Sequence, residues 1–293
     1  MDDQVGQVRR FNRVLTQRVG ALSEEYLGRS RPLGASRVLW EIGRDGADVR
    51  ALRDRLELDS GYLSRLLRRL ETERLVVVEP DPDDRRARVV RLTEAGAVET
   101  DELDRRSDDL AHSLLAPLSA GQRTALVEAM ATVERLLTAG LVQISVEDPT
   151  GEAARFCLAS YFAELNERFD TGFDPEVSIS ATAEELVDPA GLLLVARLWG
   201  EPVGCGALKL HGRAPAELKR MWVSPRARGL GVGRRILEAL EHHASDRGVR
   251  TVRLETNRSL REAIGLYRSA GYAEVRAFNT EPYADHWFSK RLR

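Results

Sequence analysis

The chain has 293 residues, of which 43% are apolar, and a formal net charge of −2. That apolar content suffices for two cores of ordinary size, and the near-neutral balance excludes a bulk polycation that coats nucleic acid indiscriminately. Cys157 and Cys205 are far apart in sequence and without metal-ligand spacing, so no disulfide framework is suggested; no H-E-x-x-H and no apolar run of roughly 20 residues occurs, so neither a metal nor a bilayer span is expected.

The opening M-D-D-Q lacks a charged segment leading into an apolar run, and a cytoplasmic protein is expected. Val8, Phe11, Leu15, Val19, Leu22 and Tyr26 recur at intervals of three and four, which predicts one long first helix with an apolar seam that something must cover. Val49 to Leu56 predicts a short helix. A second runs from about Ser60 to Arg74, with Asp59 or Ser60 as its N-cap. On that second helix Leu63, Leu66, Leu67 and Leu70 form one stripe, leaving Gly61, Arg65 and Arg68 outward and Ser64 and Arg69 on the flanks. Arginines opposite a buried stripe suit a major groove, where they read guanine edges and neutralise phosphate; the same pattern also describes an ordinary charged solvent face.

The segment V-V-V-E-P-D-P-D-D-R-R-A-R-V-V-R-L-T-E-A-G predicts a β-hairpin with a Pro, Asp and Arg tip. A candidate recognition helix followed at once by such a hairpin, with D-x-R-x-x-x-x-x-L-T at Asp84, Arg86, Leu92 and Thr93, resembles the winged helix-turn-helix of the MarR family of transcriptional regulators. The resemblance implies binding to a double-stranded DNA operator: Arg86 enters the minor groove, Asp84 braces it, and Arg85 and Arg88 touch the backbone. It also implies a homodimer through the helices before and after the winged module, including Leu103, Leu110, Leu114, Leu126, Met130, Val133 and Leu137 at helical spacing. Some family members bind aromatic acids between these helices, where Tyr26 and Trp40 fall; as core aromatics they need no ligand. The seam between two domains is expected near Ala139 to Gln143, giving domains over 1–140 and 141–293.

Past the seam, I-S-V-E-D-P reads as an opening strand, and E-L-K-R-M-W-V from Glu217 to Val223 as a later one. S-P-R-A and R-G-L-G-V-G then run straight into the amphipathic helix R-R-I-L-E-A-L-E-H-H-A. Glycines at 229, 231 and 233 remove side chains where a backbone must approach a ligand, and the helix presents unpaired N–H groups and its positive dipole end there, as a pyrophosphate requires. The spacing G-x-G-x-G is not the dinucleotide fingerprint G-x-G-x-x-G, and no G-K-[ST] occurs. A second strand, Thr251 to Asn257, leads to the helix S-L-R-E-A-I-G-L-Y-R-S-A-G-Y, on which Ala263 and Tyr267 share a face and Gly271 supplies the stop.

Together V-x-P-x-x-R-G-x-G-x-G, strand, Asn and A-x-x-x-Y-x-x-x-G-Y resemble the GNAT family of acetyl-CoA-dependent N-acetyltransferases over the final half of the chain. The implied fold class is a mostly α winged helix-turn-helix with a β-wing, followed by an α/β (α+β) domain with a mixed, splayed central sheet. The resemblance places acetyl-CoA between the splayed strands, lined by Met221 and Val223, with amides of Arg228, Gly229, Leu230, Gly231, Val232, Gly233 and Arg234 on its pyrophosphate and Asn257 and Ala263 along its channel. Val223 would offer its N–H to the thioester carbonyl. Tyr267 falls on the family's acid position, and Glu217, preferred, or Glu255 is the base that takes the amine's proton. Acceptor specificity in this fold lies in the first helices and last strands, where Tyr161, Arg168, Tyr283 and His286 can surround a small amine; Arg168 can pair with an acceptor carboxylate. The expected function is a regulator that also acetylates the primary amine of a small molecule or a protein lysine. The alternative is a regulator whose second half senses acetyl-CoA without turnover.

Overall fold

The computed structural model describes residues 2–81, 87–179, 181–212 and 214–292. They form two compact units, Met1–Ala129 and Met130–Arg293, so the division falls inside a helix that both halves share, N-terminal to the seam expected near Ala139. The reason is local to the second unit: Arg235 donates to the carbonyls of Ala139 and Val142, both at 2.7 Å, and ties the end of that helix there. No helix among the described residues is long and apolar enough to cross a membrane.

The first unit runs α1 (Asp2–Arg18), a 3-10 turn (Tyr26–Gly28), α2 (Leu33–Ile42), β1 (Ala47–Asp48), α3 (Val49–Leu56), α4 (Ser60–Thr72), β2 (Val76–Pro80), β3 (Arg88–Leu92), α5 (Glu94–Leu115) and the start of α6 (Ala120–Gly140). The three strands make an antiparallel sheet in the order β1-β3-β2. Side-chain caps set the helix starts: Asp48 accepts from Arg50 and Ala51, Asp59 from Tyr62, and Thr93 from Gly96. The N-cap of α4 is therefore Asp59, not Ser60. Gly96 is demanded by close approach, since a Cβ there would stand 1.9 Å from the Leu75 carbonyl oxygen. The core is built from α2 (Val38, Leu39, Ile42), Leu52 of α3, the leucine stripe of α4, Val90 of β3 and Leu103 of α5.

The long first helix is shorter than its apolar seam predicts. It ends at Arg18 before Gly20, whose φ of +69° breaks the helix; Leu22 is exposed and Tyr26 is buried in the 3-10 turn. Val5, Val8, Phe11 and Val14 of α1 are exposed, and no residue of α6 is buried. Trp40 donates to Asp104 at 2.5 Å, which satisfies its indole without a ligand.

A buried ion cluster joins three elements of this unit. Glu99 of α5 accepts from Arg29 and from Arg31, and Arg31 also reaches Glu73 at the end of α4. Burial opposes the charged form of Glu99, but hydrogen bonds from Arg29 and Arg31 outweigh it and hold the carboxyl below its usual range. Removing one partner of such a cluster strands the others. Glu99→Ala is expected to lower the unfolding free energy by about 3–5 kcal/mol, read as a shifted urea midpoint. A depressed folded-state value means that the contribution is complete above the unfolded carboxylate value of about 4 and disappears as pH falls through the folded one. Parent and variant should converge in acid.

The second unit continues with β4 (Gln143–Glu147), α7 (Glu152–Arg168), β5 (Gly191–Leu198), β6 (Glu201–Lys209), β7 (Ala216–Val223), α8 (Val232–Asp246), β8 (Thr251–Thr256), α9 (Arg261–Ser269), β9 (Ala273–Val275) and β10 (His286–Arg291). Its seven-stranded mixed sheet has the order β4-β5-β6-β7-β8-β10-β9. Strand alternation sends Leu192, Leu194 and Ala196 to a core shared with α8 and α9, and Leu193 and Val195 to one shared with α7. Covered on both faces, β5 is apolar almost throughout. Cys157 and Cys205, distant in sequence, meet in the α7 core, where the Cys157 thiol donates to the Gly204 carbonyl at 3.6 Å; both are free thiols.

The feature that makes a site is the pairing of β7 with β8. These strands are parallel, and their register covers only Ala216↔Val252 and Glu217↔Arg253. Beyond that point β7 continues to Val223 and β8 to Thr256. A register shift between Cys205 and Ala207 marks a bulge in the β6/β7 ladder, with Arg220 of β7 at a φ of +59°. The extra residue bends β7 away from β8.

Candidate active site and nucleic-acid interface

Two adjoining cavities of the second unit occupy the opening between β7 and β8. They share Tyr161, Leu165, Met221, Leu260, Ala263 and Tyr267. The first is a groove that runs to the glycine loop and the first turn of α8, walled by Val223, Arg228, Gly229, Gly231, Gly233 and Arg234. Val232 also lines it, whereas Leu230 turns into the core beside α8. The second cavity lies toward Lys219, Arg220, Glu255, Asn257, Glu281 and Tyr283.

Backbone geometry makes the groove a cradle for anions. Gly229 and Gly231 have φ of +81° and +75°, a region where side chains are strained. Gly231 caps α8, so Val232, Gly233 and Arg234 are its first three residues and their N–H groups have no acceptor within the helix. Ser224 donates to the Val203 carbonyl at 2.9 Å while Val223 faces Gly204. Val223 thus takes a non-hydrogen-bonded position of the β6/β7 ladder and directs its N–H and C=O away from β6, into the opening. Arg228 donates to that carbonyl at 3.1 Å and forms an ion pair with Glu164. Glu164 also accepts from the Trp222 indole at 2.9 Å.

Tyr267 stands where the two cavities meet. It is buried, packed against Tyr272 and Phe288, and burial pushes its phenol well above the ordinary tyrosine range. Tyr161, across the junction on α7, is pushed up to about 12 by the same cause. Both hydroxyls stay protonated at neutral pH.

The two candidate bases separate. Glu217 lies where β7 and β8 still pair; its carboxylate is held by Arg253 at 2.7 Å and faces Lys219 at 3.3 Å, and it lines neither cavity. Glu255 lines the second cavity. One of its oxygens is ion-paired with Lys219, and the other, Oε2, is buried with no hydrogen-bond partner among the described residues. Of the two carboxylates, Glu255 is the one among the cavity-lining residues, whereas Glu217 sits where the strands still pair.

The acceptor candidates divide as well. Tyr161 and Tyr283 line the second cavity. Arg168 lines the groove instead, with its guanidinium engaged by Glu164, Glu262 and the Ser259 carbonyl. His286 lines neither cavity and pairs with Glu274 at 2.6 Å. Asn257 donates to the Tyr283 carbonyl at 2.7 Å and accepts from Ser259, which fixes the rim of the second cavity rather than opening a donor into it. Sequence reasoning passed over Lys219, Arg220 and Glu281. For Lys219 a signal existed, since period-two alternation puts it on the same face of β7 as Glu217; Arg220 joins that side only through the bulge, and Glu281 arrives from a distant loop.

In the first unit, α4 exposes Ser64, Arg65 and Arg68 opposite its buried leucines. Arg65 lies over the Tyr62 ring. Arg69 differs: it donates to Glu73 and to the Ser30 carbonyl, both at 3.0 Å, and so anchors α4 internally. Arg88 opens β3 and is exposed. Asp84, Arg85 and Arg86 lie outside the described residues; β2 and β3, on either side of them in sequence, pair antiparallel.

Residues 158–272 match the model of the acetyltransferase (GNAT) family, and residues 27–87 match that of the MarR family. An IAA acetyltransferase of Azospirillum brasilense is 34% identical over 143 residues, covering 48% of this chain and 90% of that protein. A mycothiol acetyltransferase of Thermomonospora curvata is 40% identical over 90 residues, 31% of this chain and 30% of that protein. Wild-type MarR from E. coli in its apo form is 26% identical with a TM-score of 0.38, over 43% of this chain and 94% of that one.

Proposed function

The chain belongs to the GNAT family of N-acetyltransferases, with a MarR-type winged helix-turn-helix in its first unit, and from that premise we propose one protein that both binds operator DNA and acetylates a primary amine by direct attack on acetyl-CoA. The observation that carries the catalytic half is the divergence of β7 from β8 after Glu217↔Arg253, which opens a groove between the glycine loop and Tyr267.

The residues present fit acetyl-CoA, the family's acetyl donor. First-turn amides of α8 and the positive-φ glycines 229 and 231 accommodate a diphosphate, and the channel past Met221 and Ala263 leads to Tyr267. Bound there, the coenzyme supplies an activated acetyl thioester. Val223 would offer its N–H to the thioester carbonyl. Glu255 would take the proton that the acceptor ammonium must lose, and the Tyr267 hydroxyl would supply a proton to the coenzyme's sulfur.

Thiol release from acetyl-CoA across a panel of small amines and lysine peptides tests this reading. Coenzyme A binding in calorimetry without release for any acceptor would instead support a sensor. Gly231→Val probes the cradle independently. A β-branched residue is strained at φ +75°, so the free loop relaxes away from this geometry and restoring it on binding costs about 1–3 kcal/mol, a roughly tenfold to hundredfold loss of coenzyme A affinity.

For the first unit, exposed arginines on α4 and at the start of β3 support double-stranded DNA as partner. The exposed apolar residues of α1, among them Val8, Phe11 and Val14, support a homodimer through this helix and α6. Sedimentation of the full chain measures that association; a strictly monomeric species at micromolar concentration would remove it.

A further inference from the structure

Of the chain's 44 basic residues only Lys209, Lys219 and Lys290 are lysine. Two make ion pairs elsewhere in the second unit, Lys209 with Glu185 and Lys290 with Glu241. The third is in the wall of the second cavity. Lys219 Nζ is ion-paired with Glu255, faces Glu217 at 3.3 Å and lies 3.4 Å from the Ile179 carbonyl, with its side chain only 9% exposed. It stands two residues before Met221, which lines both cavities. Arginine could make the same ion pairs, but a guanidinium remains protonated and is no nucleophile, whereas an ammonium becomes one by giving up a single proton. Glu255, the carboxylate proposed as base, is already in contact with that ammonium.

We propose that Lys219 is itself an acetyl acceptor: the protein acetylates this lysine from acetyl-CoA bound in the groove, and the modification releases Glu255 for an external amine. The inference rests on the catalytic reading above. In the step, the Lys219 ammonium gives one proton to Glu255 and its nitrogen bonds to the acetyl carbon. The carbon–sulfur bond breaks, and the thiolate takes the Tyr267 proton. The second nitrogen proton returns to the phenolate, and Glu255 passes its proton to water. One acetyl-CoA and one lysine ammonium give coenzyme A, one acetyl-lysine and one proton. The product amide is neutral, so it no longer pairs with the carboxylate.

The test incubates the full chain with isotopically labelled acetyl-CoA and no added amine, then maps acetylation by peptide mass spectrometry while following thiol release and, separately, coenzyme A binding by calorimetry. Label at Lys219 should exceed that at Lys209 and Lys290 by roughly tenfold or more, because only Lys219 is held beside the base. Thiol release should stop at a single equivalent per chain, and Lys219→Arg should abolish it. Equal labelling of all three lysines, or none at Lys219 in protein that binds coenzyme A and acetylates an external amine, would overturn the inference and leave the catalytic reading standing. Absence of coenzyme A binding would overturn both.

Discussion

Tyr267→Phe is expected to lower kcat for acetyl transfer by about 10²–10⁴-fold, the range of a positioned general acid, while coenzyme A affinity stays within a few-fold of the parent. The substitution removes one oxygen and leaves the ring packed on Tyr272 and Phe288, so neither the core nor the groove wall need change. The pH profile provides a second readout. Burial raises the phenol, so its proton-donating form persists above the ordinary tyrosine value of about 10. The parent should therefore keep its rate through alkaline pH as the acceptor amine deprotonates, with no descending limb from this group below that value. A descending limb near neutrality in the parent, unchanged by Tyr267→Phe, would assign the acid elsewhere.

Much of this site was legible because its signals are local. The glycine loop, the helix after it and the A-x-x-x-Y spacing are short contiguous patterns, and each constrains a backbone that forms in place: positive φ at Gly229 and Gly231, Ala263 and Tyr267 on one helical face. The choice of base was not local. Glu217 and Glu255 both sit on the diverging strands, and only the point of divergence, Glu217↔Arg253, decides which carboxylate faces the opening. That point is set by the bulge at Arg220, where a non-glycine residue adopts φ +59° under tertiary packing against Phe162. The same distinction explains the first unit. The apolar period of α1 continues in sequence to Tyr26, but Gly20 ends the helix, and Tyr26 finds its burial in a 3-10 turn.

The double variant Arg65→Ala, Arg68→Ala should weaken binding of a promoter fragment roughly a hundredfold or more at low salt, since each guanidinium on a base edge or phosphate contributes about 1–3 kcal/mol. Their helix is held by the buried face of Leu63, Leu66, Leu67 and Leu70, so truncating residues on the opposite face leaves the fold intact. Arg69, one residue further along, inverts the expectation. It anchors α4 to Glu73 and Ser30, and its loss should appear first as reduced stability. Salt dependence separates the cases. If Arg65 and Arg68 neutralise phosphates, the slope of log affinity against log salt falls by about two in the double variant. An unchanged slope with unchanged affinity would mean that α4 shows DNA only a solvated face, and the hairpin between β2 and β3 would have to carry the recognition alone.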